Sequence, residues 1–272
     1  MSLPAASTQE EVARVLDVLA FGELEIEGRL VDASNVALRG QLELGDIRTR
    51  VIYKPVRGER ALWDFPDGTL ANREVAAYRV SEAFGWNVVP RTWLRDGPMG
   101  PGMVQLWQDP DLEQDAVDLV PWEVGPAAGW RRVFDGRDEQ DRAITLVHED
   151  SVALRRMAVF DIVVNNADRK GNHILAMPGG HRHGVDHGLT FHVEHKLRTV
   201  LWGWLGDELT ADELDGIERV SSGLAGALGD TLAELLTAAE IAALVDRCER
   251  LRSVGRFPAP RGQMPAVPWP LF

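Results

Sequence analysis

The chain has a single cysteine, Cys248, so it can close no internal disulfide and offers no thiol cluster for structural zinc. It lacks any run of about 18 apolar residues, the length that would suggest a membrane-spanning helix. Met1 is followed by a polar stretch rather than the apolar core of a signal peptide. Lysine is scarce: Lys54, Lys170 and Lys196 are the only three, so 26 of the 29 basic residues are arginine. Positive charge as a whole is also short, 29 basic against 42 acidic residues, for a formal net charge of −13. So acidic a surface repels phosphate backbones and anionic headgroups, which disfavours general nucleic-acid or membrane-surface binding. Walker A and G-x-G-x-x-G patterns are both absent, which argues against P-loop and dinucleotide-binding folds. What remains is an ordinary globular composition, 45% apolar and 26% charged over 272 residues, and the expectation of a cytoplasmic protein without a membrane anchor.

Periodicity divides the chain into a β-rich and a helical part. Residues 8–20 read as a helix opened by a Thr8/Glu11 capping box. Alternating segments follow around Leu24–Val31, Val36–Leu44 and Arg48–Tyr53, separated by turns at 32–35 and Gly45-Asp46, so three antiparallel strands are expected. A helix is predicted over Ala71–Phe84 with Gly85 as its stop, then strands at Val88–Leu94 and Gly102–Trp107. Residues 108–150 read as a loop-rich acidic connection, 151–166 as a helix, and short strands surround Ile174–Ala176 and Gly184-Val185. Capping boxes at Thr210/Glu213 and Thr237/Glu240 announce a helical end, closed by a proline-rich tail at 257–272. Strands first and helices later is an α+β order, not an alternating βαβ one.

Two polar segments lie where apolar elements break. Asn165-Asn166-Ala167-Asp168-Arg169-Lys170-Gly171-Asn172-His173 separates a helix from a strand, and Asp186-His187-Gly188 leaves the next short strand. Two aspartates on adjacent loops provide hard oxygen ligands for Mg²⁺ and a base for a hydroxyl proton. Upstream, Lys54 ends a strand and Glu74 lies on the following helix. A strand lysine held by a helix carboxylate pins nucleotide phosphates in kinases.

In this order the residues resemble the protein-kinase-like superfamily, in particular its atypical branch of phosphatidylinositol 3- and 4-kinases and HipA-type kinases. The resemblance spans residues 24–205 and is carried by Lys54, by Asn72-Arg73-Glu74 with Val88-Val89-Pro90, by Asp168-Arg169, and by Gly184-Val185-Asp186-His187-Gly188. It implies an antiparallel N-lobe with one helix over 1–107, a mainly helical C-lobe over 108–272, and phosphoryl transfer from ATP with Mg²⁺ or Mn²⁺. The acceptor would be a hydroxyl of a protein or of a small soluble molecule. Lys54, steadied by Glu74, would contact the α- and β-phosphates, and the Ser34-Asn35 turn would cover them. Gln105-Leu106-Trp107 would be the adenine-binding hinge. Asp168 would take the acceptor proton, Lys170 would face the γ-phosphate, and Asp186 would hold the metal.

Two positions depart from the pattern. The second metal ligand of the family is an asparagine five residues after the catalytic aspartate. Here that position is His173, with Asn172 one residue early, so Asn172 swings in, or His173 ligates, or the second site is weak. The phosphate-covering turn also lacks glycines. A nucleotide-binding pseudokinase with a regulatory role is therefore the alternative. A third reading comes from the histidines, five of seven lying between 181 and 195: His181 and His183 with Asp186 could form a metal site in a non-kinase protein. As Lys54 sits at a strand end, its replacement by methionine is expected to cost turnover far more than folding.

Overall fold

A computed structural model describes residues 9–30, 36–59, 65, 70–261 and 265–272. Helix α1 (Gln9–Phe21) packs Val18 and Leu19 onto a five-stranded antiparallel sheet. Its strands are β1 (Glu23–Arg29), β2 (Leu38–Leu44), β3 (Ile47–Pro55), β4 (Thr92–Gly97) and β5 (Gly100–Leu106), ordered β1-β2-β3-β5-β4. The Thr8 cap and the Ser34-Asn35 turn lie outside the described residues. Helix α2 (Leu70–Phe84) connects β3 to β4.

Strand β4 begins later than its apolar run suggests. Val88 and Val89 are buried, but Asn87 is left-handed (φ 53°) and Pro90 has no N–H for a ladder. Val89 N instead donates to Ser81 Oγ (3.0 Å), and the Val88 carbonyl accepts from Gly184 N (2.8 Å).

The stretch 108–150 is more ordered than its loop-like composition implies. It carries a second antiparallel sheet of β6 (Val117–Pro121), β7 (Trp130–Arg137) and β8 (Ala143–Glu149), with β8 central. Pro121, Gly125, Pro126 and Gly129 punctuate this sheet without preventing it. The buried run Thr145–His148 pins it to the body, where the His148 ring lies 4.2 Å from that of Trp204.

Helix α3 (Val152–Val164) starts at the Ser151 cap and ends at Asn165, left-handed at φ 56°. Helices α4 (Ala211–Leu224), α5 (Ala227–Ala233) and α6 (Ala238–Val254) follow, with both expected capping boxes formed. The architecture is mixed α+β, with antiparallel sheets and six helices among the described residues. One large core joins α3, α4, α6 and the buried face of α2, through Ala76, Ala77, Tyr78, Val80 and Phe84. Helix α2 thus belongs to the helical part by packing and to the first sheet by connection. No helix among the described residues is long and apolar enough to cross a membrane.

A third, two-stranded sheet decides what the polar loops can do. Strands β9 (Ile174–Ala176) and β10 (Arg182–Gly184) pair antiparallel, with Gly184 opposite Ile174. The loop entering β9 and the loop leaving β10 therefore lie side by side.

Candidate active site

Lys54 stands near the end of β3, where alternation turns it away from the face that buries Val51 and Tyr53. Its Nζ donates to Glu74 Oε1 (2.6 Å) and to Asp186 Oδ1 (2.5 Å), so one ammonium joins strand, helix and loop. Glu74 is sealed from solvent, and its second oxygen accepts from the His187 backbone N–H (2.9 Å). The Asp186 side chain remains half exposed, and its backbone is left-handed at φ 63°. A non-glycine residue held so stores strain, a feature that clusters at functional sites.

Charge follows this geometry. The ammonium of Lys54 holds Asp186 well below the usual carboxylate range, against the cost of burial. Burial alone would push Lys54 down, but Asp186 and Glu74 outweigh it and raise its pKa. Glu74 is pushed up by burial, with Lys54 opposing the shift.

On the neighbouring loop, Asp168 N donates to Asn166 Oδ1 (3.0 Å), and Lys170 Nζ lies 3.5 Å from Asp168 Oδ2. Burial raises the Asp168 pKa, with Lys170 opposing. Asn172 and His173 are oriented differently. Asn172 is exposed and makes no contact with the cluster, whereas His173 Nε2 lies 3.4 Å from Asp186 Oδ2. His173 Nδ1 is 2.9 Å from the Asp168 carbonyl, so Nδ1 carries the proton. Burial lowers the His173 pKa, and in the neutral ring a bare Nε2 lone pair then faces a carboxylate oxygen. Two facing acceptors are satisfied by a cation between them, and an Nδ1–H on a backbone carbonyl is the usual support of a metal-ligating imidazole. Asp186 and His173 thus fit a divalent cation whose other ligands would come from bound phosphates and water. The mixed O,N donor pair suits Mn²⁺ at least as well as Mg²⁺.

Arg169 ties these loops together. Its Nε and Nη2 bond Asp161 of α3 (both 2.8 Å), and Nη1 reaches the carbonyls of His173 (3.1 Å) and Val185 (3.2 Å). Nη2 also donates to His187 Nε2 (2.7 Å), and a Cβ on Gly184 would meet that nitrogen at 2.8 Å. Neither Asp161 nor the full role of Arg169 is evident from local sequence. The available signal is one acid inside the apolar run Val159–Val164.

Other expected site residues are placed differently. The amides of Leu106 and Trp107 are spent on the carbonyls of Arg91 (2.8 Å) and Arg50 (3.0 Å), and Gln105 Nε2 on Thr92 Oγ1 (2.9 Å). Gln105 and Leu106 end β5, and the amides of Leu106 and Trp107, two of the three residues expected to form the adenine-binding hinge, are bonded within the first sheet rather than free. The Trp107 indole N–H bonds Asp109 (3.0 Å). His181 and His183 do not join Asp186 in a cluster: their rings lie on the carbonyls of Asn87 (2.9 Å) and Val88 (3.3 Å). Among the described residues no group of three or more His, Cys, Asp or Glu is placed to hold a metal by itself.

No family model matches the chain. It is 48% identical over 264 residues to Protein Rv2133c of Mycobacterium tuberculosis (strain ATCC 25618 / H37Rv), an alignment covering 94% of each chain. The chain belongs to the family of that protein.

Proposed function

We infer that the protein is a kinase, transferring the γ-phosphoryl group of ATP to a hydroxyl with the help of a divalent cation. In this reading the first sheet with α2 is one lobe, the helical part is the other, and nucleotide occupies the cleft between them. The observation that supports it best is Lys54 Nζ within 2.6 Å of both Glu74 and Asp186, which brings three separate elements to one point. Asp168, on the adjoining loop, completes a set of groups suited to phosphoryl transfer.

Lys54 would exchange its bond to Asp186 for the α- and β-phosphates, with Glu74 and the His187 amide holding it in place. Asp186 and His173 would hold the cation, which supplies charge neutralisation at the phosphates when bound. Asp168 would accept the acceptor's O–H proton while the new O–P bond forms and the bond to the β,γ-bridging oxygen breaks, releasing ADP. Burial raises its pKa, the direction that makes a carboxylate a better proton acceptor. Lys170 would offset charge on the transferring oxygens.

Thermal denaturation with ATP plus Mg²⁺ or Mn²⁺ tests the binding half, because a ligand bound only by the native state raises stability as RT ln(1 + [L]/Kd). Transfer of label from γ-labelled ATP in cell extract, lost in Asp168→Ala, tests the chemistry. A thermal shift without transfer would identify a pseudokinase. No shift with either metal would end the kinase reading.

A further inference from the structure

Arg198 is held against the catalytic loop by three bonds. Its N–H donates to the Asn166 carbonyl (2.9 Å), its own carbonyl accepts from Arg169 N (3.1 Å), and its Nε donates to the Ala167 carbonyl (2.6 Å). The guanidinium, half-buried, is close enough for its charge to be felt at Asp168. Its two Nη groups bond no carboxylate or carbonyl among the described residues, although acids outnumber bases by 42 to 29. Most arginines near a carboxylate here are ion-paired, as Arg73, Arg131, Arg155, Arg169 and Arg182 show. An anchored fork left open beside the proton-accepting group is built for a planar or tetrahedral oxyanion, which it can grip through two parallel N–H bonds.

Positive charge continues away from the loop. Residues 195 and 198 are at most about 10 Å apart along the chain. Exposed His195 lies within the field of Arg247, Arg250 and Arg261, none of them ion-paired among the described residues. Arg247 is fixed by the Val163 (2.7 Å) and His192 (3.3 Å) carbonyls, and its buried Nη2 has no partner among the described residues. The neighbouring acids are Glu194, which faces Lys196, and Asp246 and Glu240, whose charges reach Arg247.

We propose that the acceptor is a soluble hydroxyl compound that already carries a phosphate group, and that Arg198 grips that phosphate beside Asp168. This rests on the kinase reading for the transfer step, whereas the anion site stands on Arg198 alone. Arg198 is a specificity residue: the phosphate it holds would bring a nearby hydroxyl of the same molecule to the Asp168 carboxylate.

The test is calorimetric titration of inorganic phosphate and of glycerol 3-phosphate into the full chain saturated with a non-hydrolysable ATP analogue and Mg²⁺. Vesicles containing an anionic phospholipid form a parallel arm. Saturable binding of both soluble probes is expected, weakened about tenfold or more in Arg198→Gln and partly recovered in Arg198→Lys. Equal affinity in wild type and Arg198→Gln would overturn the proposal, as would a nucleotide-loaded protein that ignores both soluble probes. Binding to vesicles alone would overturn the soluble acceptor. Failure of the ATP analogue to bind would count against the kinase reading, and phosphate titrated without nucleotide would then test the Arg198 site separately.

Discussion

Arg169 grips Asp161 through two parallel bonds of 2.8 Å, and neither side chain reaches solvent. The pair connects α3 to both loops that carry the candidate chemistry, because the same guanidinium also bonds the His173 and Val185 carbonyls and the His187 ring. Removing the cation would leave a sealed carboxylate with only Asn166 as partner among the described residues. Arg169→Gln is expected to cost about 3–5 kcal/mol in urea denaturation. A loss below about 1 kcal/mol would show that the network does not hold the loops.

Lys54→Met is expected to affect folding more than a strand-end position suggests. Glu74 is sealed and would lose its only cation among the described residues, while Asp186 would face it without screening. We expect about 1–3 kcal/mol lower stability together with loss of the ATP-dependent thermal shift. Glu74→Gln added to Lys54→Met should recover part of the stability and none of the nucleotide response. Recovery of both would remove Lys54 from the site.

Gly184 and Gly171 both lack room for a methyl group, with different consequences. A Cβ on Gly184 meets the buried Arg169 guanidinium at 2.8 Å, which cannot yield without breaking its bonds. A Cβ on Gly171 would collide with the Phe272 ring, but that ring is 43% exposed and can swing out. Gly184→Ala should therefore cost about 1–3 kcal/mol, and Gly171→Ala clearly less. Phe272→Ala should make Gly171→Ala nearly neutral, and the reverse order of costs would contradict this packing.

Burial lowers the pKa of both His148 and His183 to about 4. His148 is satisfied in its neutral form, with Nδ1 on the Glu149 carbonyl (2.8 Å) and Nε2 accepting from Gly203 N (3.0 Å). The unfolded chain takes up these protons below about pH 6.5, so stability is complete above that value and falls as pH drops towards 4. Each histidine can contribute up to about 3 kcal/mol to that fall. Urea midpoints measured across this range should decline, with a shallower slope in His148→Gln. An identical slope would exclude His148 as a contributor.

Asp168→Asn keeps the size of the side chain while removing its ability to accept a proton. Label transfer should fall about 10²–10⁴-fold with the ATP-dependent thermal shift retained. Undiminished transfer would assign the base elsewhere.

Much of the candidate site is legible in the residues themselves, because its chemistry depends on types and order: a strand lysine, a helix carboxylate, and two aspartates where apolar elements break. The capping boxes at Thr210 and Thr237 are legible for a similar reason, since each is closed by residues three apart. The β6-β8-β7 sheet is not, because its strands gain stability from burial of Leu146 and His148 against the helical body, which composition does not reveal. The bonding of the Leu106 and Trp107 amides to the Arg91 and Arg50 carbonyls is hidden for a related reason: whether an amide is free depends on the neighbouring strand.

The sequence by itself determined that the protein is acidic, poor in lysine, mixed α+β, and equipped with paired acidic loops, since these follow from composition and short-range pattern. Only the tertiary structure decided that Lys54 lies between Glu74 and Asp186, that His173 rather than Asn172 turns inward, and that Arg198 opens beside Asp168. Those relationships join residues far apart in the chain, and their positions are set by core packing and by the β9–β10 ladder, which no local pattern encodes.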